Sequence, residues 1–301
     1  MQSISKTIYA TYLTQYSKLT PQKTFHFMNR LHSWGADPEA IAILERFAPH
    51  PADTDAMLTE LLEKRAEDTP AINLYELRAP YFTQYPWLYG LELALFQMRH
   101  WYLEYGVDTR AFFRDHAKFA FWDAGIAQLH ADTQACAVLS TYAVNSIYLW
   151  YRLIQEDERV LFAADELAYF HTEDVLAVYF STHCCIGETL FYARAIPADK
   201  LALHRALLAR VEDITRTQID SLPLDALLET VVAQRLCGVT SPLQDAVVAR
   251  ANANFDASLG YITDPNKPDK NDLNGAEHRN ILYLMATTEP RKELLSKPPT
   301  T

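Results

Sequence analysis

The densest set of reactive side chains is His183, followed by two cysteines and, five residues on, by Glu188. At helical spacing Cys184 and Glu188 share a face, whereas His183 points about 100° away, beside Tyr179. One helix therefore cannot bring all of these groups to one ligand. We predict that His183 is catalytic and that Tyr142, Tyr179, Cys184 and Glu188 contact substrate. A hydrogen-bonded core histidine among buried cysteines is the alternative.

Two further candidates are Asp225 and Glu229, which stand four residues apart and so stack on one helical face. Neighbouring carboxylates repel, which raises one pKa and suits acid–base catalysis or cation binding. Asp225 has a structural alternative, because an acid in a first helical turn is stabilised by the helix N-terminus. Glu229 lies deeper in an apolar stretch. We predict both as catalytic.

The fourth catalytic candidate is His278, at the start of the last apolar segment. Just before it, Asn274 and Glu277 have the spacing of a capping box, which predicts a structural role for Glu277. At the mouth of a helix His278 can line a cavity or simply face water.

His183, Glu229 and His278 recur at intervals of 46 and 49 residues. Two histidines and one carboxylate are a plausible ligand set for zinc or iron(II). At about 1.5 Å per residue, however, their predicted helices place them at depths that differ by roughly 10 Å. That spread suits a substrate pocket better than a metal ion.

These intervals match a repeat of the whole chain. Five apolar segments begin at roughly 86, 131, 174, 223 and 273, so a unit recurs about every 43–50 residues, long enough for two helices. The predicted apolar first helices are 87–105, 133–153, 175–195, 222–238 and 274–287, and the amphipathic second helices are 109–121, 159–169, 198–219 and 242–259. Apolar inner and amphipathic outer helices predict an all-α fold. The arrangement is an (α/α) toroid or incomplete ring of hairpins, or alternatively an open α-solenoid.

Short helices precede the repeats. Thr20 and Asp37 are each followed by proline, a strong helix-start signal, and Asp53 marks a third start. The predicted division is a helical N-terminal cap over 1–80, a hairpin-repeat domain over 81–288 and a flexible tail over 289–301. The polar segment 263–272 predicts a loop, either a lid or a plain connection.

The composition narrows the function classes. The chain has 301 residues and a formal net charge of −11, and an acidic surface repels phosphate backbones, so we expect no nucleic-acid partner. Its N-terminus lacks the apolar core of a signal peptide, and no run approaches 18 apolar residues, so we expect no membrane association. The four cysteines show no CxxC spacing, and we expect them to be free thiols. Together these features predict a cytoplasmic protein.

Three short motifs resemble a family of poorly characterised, all-helical bacterial proteins found near peptide natural-product genes. They are Thr-His at 182–183 ahead of Phe-Tyr at 191–192, Leu-Asp-Ala-Leu-Leu-Glu at 224–229, and Glu-His at 277–278 before an apolar helix. The resemblance covers about residues 130–290. It implies an (α/α) toroid-like plan whose cavity is lined by His183, Asp225, Glu229 and His278.

Two functions stay open at this point. The first is a tailoring enzyme of natural-product biosynthesis, acting on a peptide or small molecule in a central helical cavity. There His183 or His278 is a general base or ligand, with Asp225 and Glu229 as partners. The second is a non-catalytic helical-repeat protein that binds a peptide or protein partner on one face.

Overall fold

The computed structural model describes residues 3–69, 72, 74–163 and 173–295, and these residues are mainly helical. The helices are α1 (Ile4–Gln15), α2 (Pro21–Gly35), α3 (Pro38–Leu44), α4 (Thr54–Leu62), α5 (Tyr75–Gln84), α6 (Leu88–Tyr105), α7 (Arg110–Arg114), α8 (Phe119–Ala131), α9 (Thr133–Leu139), α10 (Thr141–Leu149), α11 (Asp174–Glu188), α12 (Leu201–Thr217), α13 (Leu224–Leu236), α14 (Pro242–Ala253) and α15 (Glu277–Thr287). One antiparallel hairpin pairs β1 (Phe255–Asp256) with β2 (Tyr261–Ile262). The predicted all-α class is confirmed, whereas closure of the helices into a ring stays a prediction.

The chain divides into two compact units. Unit 1 comprises Met1–Phe47 and Tyr192–Thr301, and unit 2 comprises Ala48–Phe191. These boundaries differ from the predicted ones at 80 and 288, because α15 packs against α1 and α2 from the other end of the chain. None of the helices in the described ranges is long and apolar enough to cross a bilayer.

Part of the predicted tail is held in place within unit 1. The backbone N–H of Arg291 donates to the Trp34 carbonyl oxygen at 2.6 Å, and the Leu294 side chain is fully buried. Residues 296–301 of that predicted tail lie outside the described residues.

The predicted starts of the first helices are confirmed. The Thr20 side chain accepts from the Lys23 backbone N–H at the start of α2, and Asp37 accepts from that of Ala40 at the start of α3. In both helices proline is the first residue, where its missing N–H leaves no donor unsatisfied.

Neighbouring inner helices of unit 1 run parallel. His26 on α2 contacts Glu277 at the start of α15, and Trp34 at the end of α2 donates to the Thr288 carbonyl just past its end. The start of α13 likewise contacts the start of α15, and the end of α13 contacts the end of α15, so these two helices are also parallel. Parallel packing aligns the N-terminal turns of α13 and α15 with the first half of α2.

Unit 2 repeats this arrangement. Ser140, just before α10, donates to the Leu176 carbonyl near the start of α11, and Asn145 contacts His183 further along both helices. Since the contacts advance in the same direction, α10 and α11 are parallel.

The predicted helix 133–153 is interrupted. Ser140 has a φ of +51°, a conformation that is costly for a non-glycine residue, and it separates α9 from α10. A single π-helical turn, Trp150–Ile154, follows α10 directly.

The predicted helix 175–195 ends early, at Glu188. Leu190 and Phe191 both adopt left-handed backbone angles, with φ of 51° and 56°. The buried guanidinium of Arg99 donates to both of their carbonyl oxygens, at 3.0 and 2.8 Å. These charge-assisted hydrogen bonds stabilise a strained turn, which no sequence pattern near the turn predicts.

The second helices were predicted less well. The range 109–121 is broken between α7 and α8, and 242–259 ends at Ala253 before the hairpin. The range 198–219 corresponds to α12. Within 159–169, residues 159–163 are not helical and 164–169 lie outside the described residues.

Candidate functional site

Three of the four predicted catalytic residues lie together in unit 1. Asp225 and Glu229 are in the first half of α13, and His278 is the second residue of α15, beside them. The α2 helix adds His26, and α15 adds Glu277. These five residues are called the histidine–carboxylate cluster below.

His26 is held by a buried carboxylate. Its Nδ1 lies 2.6 Å from Glu277 Oε1, and the ammonium of Lys23 lies 3.1 Å from the other oxygen, Oε2. The Glu277 side chain is completely buried. Burial raises the pKa of Glu277, and the positive charge of Lys23 opposes that change. An ionised Glu277, paired with the ammonium of Lys23, would accept a hydrogen bond from Nδ1–H of His26, which would leave the lone pair on Nε2.

His278 faces His26 edge to face. The two ring centroids are 5.3 Å apart and the ring planes cross at 78°. Desolvation by burial, followed by the neighbouring His26, lowers the pKa of His278 to about 3, against the opposing carboxylates of Asp225, Glu229 and Glu277. The ring is therefore neutral at physiological pH.

The pKa of His26 is also lowered well below its ordinary value. Desolvation is the main cause, the positive charges of Arg30 and Lys23 add to it, and Glu229 opposes it. Both histidines are half-buried, so each ring keeps an edge that is accessible. The cluster thus presents two neutral imidazoles next to each other.

Asp225 is ionised and paired with two cations. Lys267 Nζ lies 3.1 Å from its Oδ2, and Arg279 Nε lies 3.9 Å from its Oδ1. Burial alone would raise the pKa of Asp225, but Lys267, His278 and Arg279 together lower it. Lys267 belongs to the predicted loop 263–272, which therefore contributes directly to the cluster.

Glu229 lies one helical turn beyond Asp225 and is 2% exposed. Its negative charge raises the pKa of His26 and of His278, so it acts on both rings. A buried carboxylate next to two histidines favours the imidazolium that forms when either ring takes a proton.

Unit 2 contains the remaining predicted catalytic residue, His183, in a chain of hydrogen bonds. Its Nδ1 lies 2.7 Å from Asn145 Oδ1, and Asn145 Nδ2 donates to Glu92 Oε1 at 3.0 Å. Burial raises the pKa of Glu92 to about 7, opposed by the bond from Asn145 and by the charge of Arg78. Neither Glu92 nor Asn145 was predicted.

Two of the predicted substrate contacts, Tyr142 and Tyr179, lie one turn before Asn145 and His183 on the parallel helices. The guanidinium carbon of Arg78 lies 5.2 Å from the centre of the Tyr142 ring. Burial raises the pKa of Tyr142, and Glu92 adds to that increase. Tyr142 therefore stays protonated at neutral pH.

The other two predicted substrate contacts are in the interior of unit 2. Cys184 is completely buried, and desolvation raises the pKa of its thiol. Glu188 is 1% exposed and receives two hydrogen bonds from the Arg152 guanidinium, at 2.9 and 3.3 Å. Burial at this depth is typical of a packing role for Cys184 and of a structural ion pair for Glu188.

The predicted metal ligands are divided between the units, with His183 in unit 2 and Glu229 and His278 in unit 1. Among the described residues, no group of three or more His, Cys, Asp or Glu side chains is placed to hold a metal ion. The zinc or iron(II) set therefore stays a prediction, and the cluster in unit 1 is described below by the proton transfer that its side chains can support.

The sequence analysis did not predict His26 as a site residue, and it predicted the wrong structural role for Glu277. His26 stands between two phenylalanines in an amphipathic helix, a pattern that also fits an ordinary core position. Glu277 was predicted to complete a capping box with Asn274, but the N-cap residue of α15 is Ala276, and Asn274 Oδ1 accepts from the Thr20 backbone N–H. The contact between Glu277 and His26 joins positions 251 residues apart and has no local signal.

No protein-family model, no curated protein and no solved structure matches this chain. The basis for a function is therefore the geometry of its side chains.

Proposed function

We propose that this protein is an enzyme that moves protons on its substrate through His26 and His278. One observation supports this most directly. A buried carboxylate lies 2.6 Å from Nδ1 of His26, and the centre of the His26 ring is 5.3 Å from the centre of a second imidazole, that of His278. Neutral histidines with accessible edges are the most common general bases and acids.

In the proposed mechanism His26 is the base. Its Nε2 takes a proton from a substrate O–H, N–H or activated C–H group, and Glu277 stabilises the imidazolium that results. Neutral His278 donates its ring N–H to the developing negative charge. Within the described ranges no hydrogen bond occupies Nε2 of His26 or either ring nitrogen of His278.

Asp225 is proposed to orient the substrate. Its Oδ1 is buried and lacks a hydrogen-bond donor among the described residues, although Arg279 lies 3.9 Å away. An amide N–H or a hydroxyl of a substrate would satisfy that oxygen. Such donors are abundant in peptides, which agrees with the peptide or small-molecule substrate predicted from the sequence. Natural-product tailoring, a central cavity and a cytoplasmic location remain predictions from the sequence and its resemblance.

The test measures hydrogen exchange and does not require a known substrate. Purified protein is incubated in D₂O with the peptide and metabolite fraction of the producing cells, and mass spectrometry after return to H₂O follows deuterium retained on carbon and new products. We expect turnover with the wild type and a loss of roughly 10²–10⁴-fold in His26→Gln and His278→Gln, the usual contribution of general acid–base catalysis. His50→Gln is the matched control, because that side chain is 75% exposed and far from the cluster in sequence. Undiminished turnover in both cluster variants would contradict the proposal.

A second candidate function is binding of a peptide without catalysis. The observation in its favour is a groove of about 400 Å³ in unit 2, walled by Trp87, Trp122 and the 56% exposed ring of Phe121, with Arg65 and Lys118 at its edge. Exposed aromatic rings are typical of binding surfaces. This candidate predicts that Phe121→Ala weakens binding of acidic, aromatic peptides, measured by fluorescence titration, and that His26→Gln does not.

A further inference from the structure

We propose that unit 1 has a further binding site, a cavity beside Trp34 that takes a small organic amine with a flat apolar body and a protonated amino group. All of the residues that line this cavity belong to unit 1. The proposal does not rest on the function proposed for His26 and His278, and its test needs no turnover.

The cavity lies at the opposite end of α2 and α15 from the histidine–carboxylate cluster. It has a volume of about 300 Å³ and is bounded by the ends of both helices, at Trp34 and Gly35 on α2 and at Leu284 and Met285 on α15. Trp34 follows His26 by eight residues, which is about 12 Å along the helix axis. A Cβ added at Gly35 would meet no neighbouring group within 4 Å, so the mouth of the cavity is wide. The volume is at the lower end of the range for small-molecule sites and suits a ligand with one ring.

The inner wall of the cavity is apolar. Trp34, Leu284 and Met285 are almost completely buried. The indole N–H of Trp34 donates to the Thr288 carbonyl oxygen at 3.3 Å, and the Trp34 carbonyl oxygen accepts from the Arg291 backbone N–H at 2.6 Å. A fixed indole ring with a thioether beside it packs favourably against an aromatic ring.

The charged side chains at the rim favour a cationic ligand. Among the described residues that line the cavity, Asp37 and Glu289 are acidic and Lys6 is basic. Helix ends do not change this balance, because α1 and α3 begin beside the cavity whereas α2 and α15 end there. Lys6 is exposed and keeps its ammonium group in water, and Glu289 lies 3.6 Å from Arg235. Asp37 is therefore the group that recognises the ligand.

Asp37 is held in position and keeps accepting capacity. Its Oδ2 accepts from the Tyr9 hydroxyl at 2.8 Å, and its Oδ1 accepts from the Ala40 backbone N–H at 2.9 Å. Burial, followed by the hydrogen bond to Asp37, raises the pKa of Tyr9, so its hydroxyl stays protonated and keeps donating. Within the described part of the chain these two bonds use two of the roughly four lone-pair positions of the carboxylate. Because Asp37 is only half-buried, the remaining positions can accept from an ammonium group.

The first measurement is the affinity of the full-length protein for 2-phenylethylamine at pH 7, by isothermal titration calorimetry. The matched probes are 2-phenylethanol, which has the same shape without the charge, and 3-phenylpropionate, which has the opposite charge. We expect the amine to bind about tenfold more tightly than either, because a hydrogen bond to a charged group contributes more than one between neutral groups. Equal or tighter binding of the alcohol or the acid, or no binding of the amine at millimolar concentration, would overturn the assignment to an amine.

The second measurement locates the site. Asp37→Asn removes the charge but keeps a residue that caps helices equally well, and it should weaken binding of the amine about tenfold. Asp213→Asn on α12 makes the same change in charge at a 72% exposed side chain and should leave the affinity unchanged. Equal weakening in the two variants would mean that the protein attracts the amine through its overall charge, and would overturn the role of Asp37.

The indole N–H signals of the wild type test the location without any change at Asp37. In ¹H–¹⁵N spectra the signal of Trp34, assigned with Trp34→Phe, should shift more on addition of the amine than those of the other four tryptophans. A larger shift at another tryptophan would place the amine elsewhere and overturn this site. An amide spectrum of Asp37→Asn that matches the wild type is the control for folding.

Discussion

Replacing His278 by Asn should flatten the dependence of the unfolding free energy on pH. In the folded chain, burial and the neighbouring His26 lower the pKa of His278 to about 3, although Asp225, Glu229 and Glu277 oppose the change. In the unfolded chain the pKa is about 6.5. Between these values the unfolded chain binds a proton that the folded chain does not, so this residue's contribution to stability is lost as the pH falls below 6.5.

The magnitude follows from the unfolded state. An imidazole of pKa 6.5 that protonates only on unfolding lowers stability by about 2 kcal/mol between pH 7 and pH 5, at about 1.4 kcal/mol per pH unit below its pKa. Urea unfolding at both pH values gives the difference for each variant. We expect the difference in unfolding free energy between pH 7 and pH 5 to become about 2 kcal/mol smaller in His278→Asn than in the wild type. The same difference should be unchanged in His50→Asn, the control at an exposed site. An identical pH difference in all three proteins would refute the claim that His278 is held neutral.

Three further changes test the packing around the proposed sites. Glu277→Gln removes the negative charge that His26 and Lys23 both contact, so the free energy of unfolding in urea at pH 7 should fall by about 1–3 kcal/mol. An unchanged free energy would mean that the carboxylate does not hold these two side chains. Gly187→Ala should lower the free energy of unfolding by about 1–3 kcal/mol, because the added Cβ would lie 2.6 Å from the Tyr148 ring. Gly35→Ala is the control and should be close to neutral, because the Cβ added there would meet no neighbouring group within 4 Å. Thermal unfolding measures both variants. Equal melting temperatures for the two glycine variants would contradict that packing. Arg152→Met removes the cation from the buried Glu188 carboxylate and should cost about 3–5 kcal/mol in urea unfolding, much of it regained in the double variant Arg152→Met/Glu188→Leu. A double variant no more stable than the single one would show that the carboxylate charge is not the cause.

Local signals were enough to predict many of the helices. The Thr-Pro and Asp-Pro pairs start α2 and α3 because proline suits the first helical position and the preceding side chain caps it. The breaks were not predictable in this way. The turn at Leu190 and Phe191 depends on the Arg99 guanidinium, which reaches it from more than ninety residues away. The pattern of residues in a single sequence does not predict a contact between positions that far apart.

The candidate site was predicted only in part, for a similar reason. Asp225 and Glu229 were recognisable because two acids at helical spacing in an apolar stretch are costly unless they are used. His26 was not, because its partner Glu277 had a local explanation as a helix cap. The interval between repeats related Glu229 to His278, which lie close enough to affect each other's charge, whereas the metal set with His183 stays a prediction.

The protonation state of the two cluster histidines decides whether they can act as base and acid. Long-range ¹H–¹⁵N spectra of histidine-labelled protein, assigned with His26→Gln and His278→Gln, report each ring nitrogen between pH 6 and 8. We expect both rings to be neutral at pH 6 and the hydrogen of His26 to be on Nδ1, facing Glu277. A ring with both nitrogens protonated at pH 6, or His26 with its hydrogen on Nε2, would contradict the proposed general base.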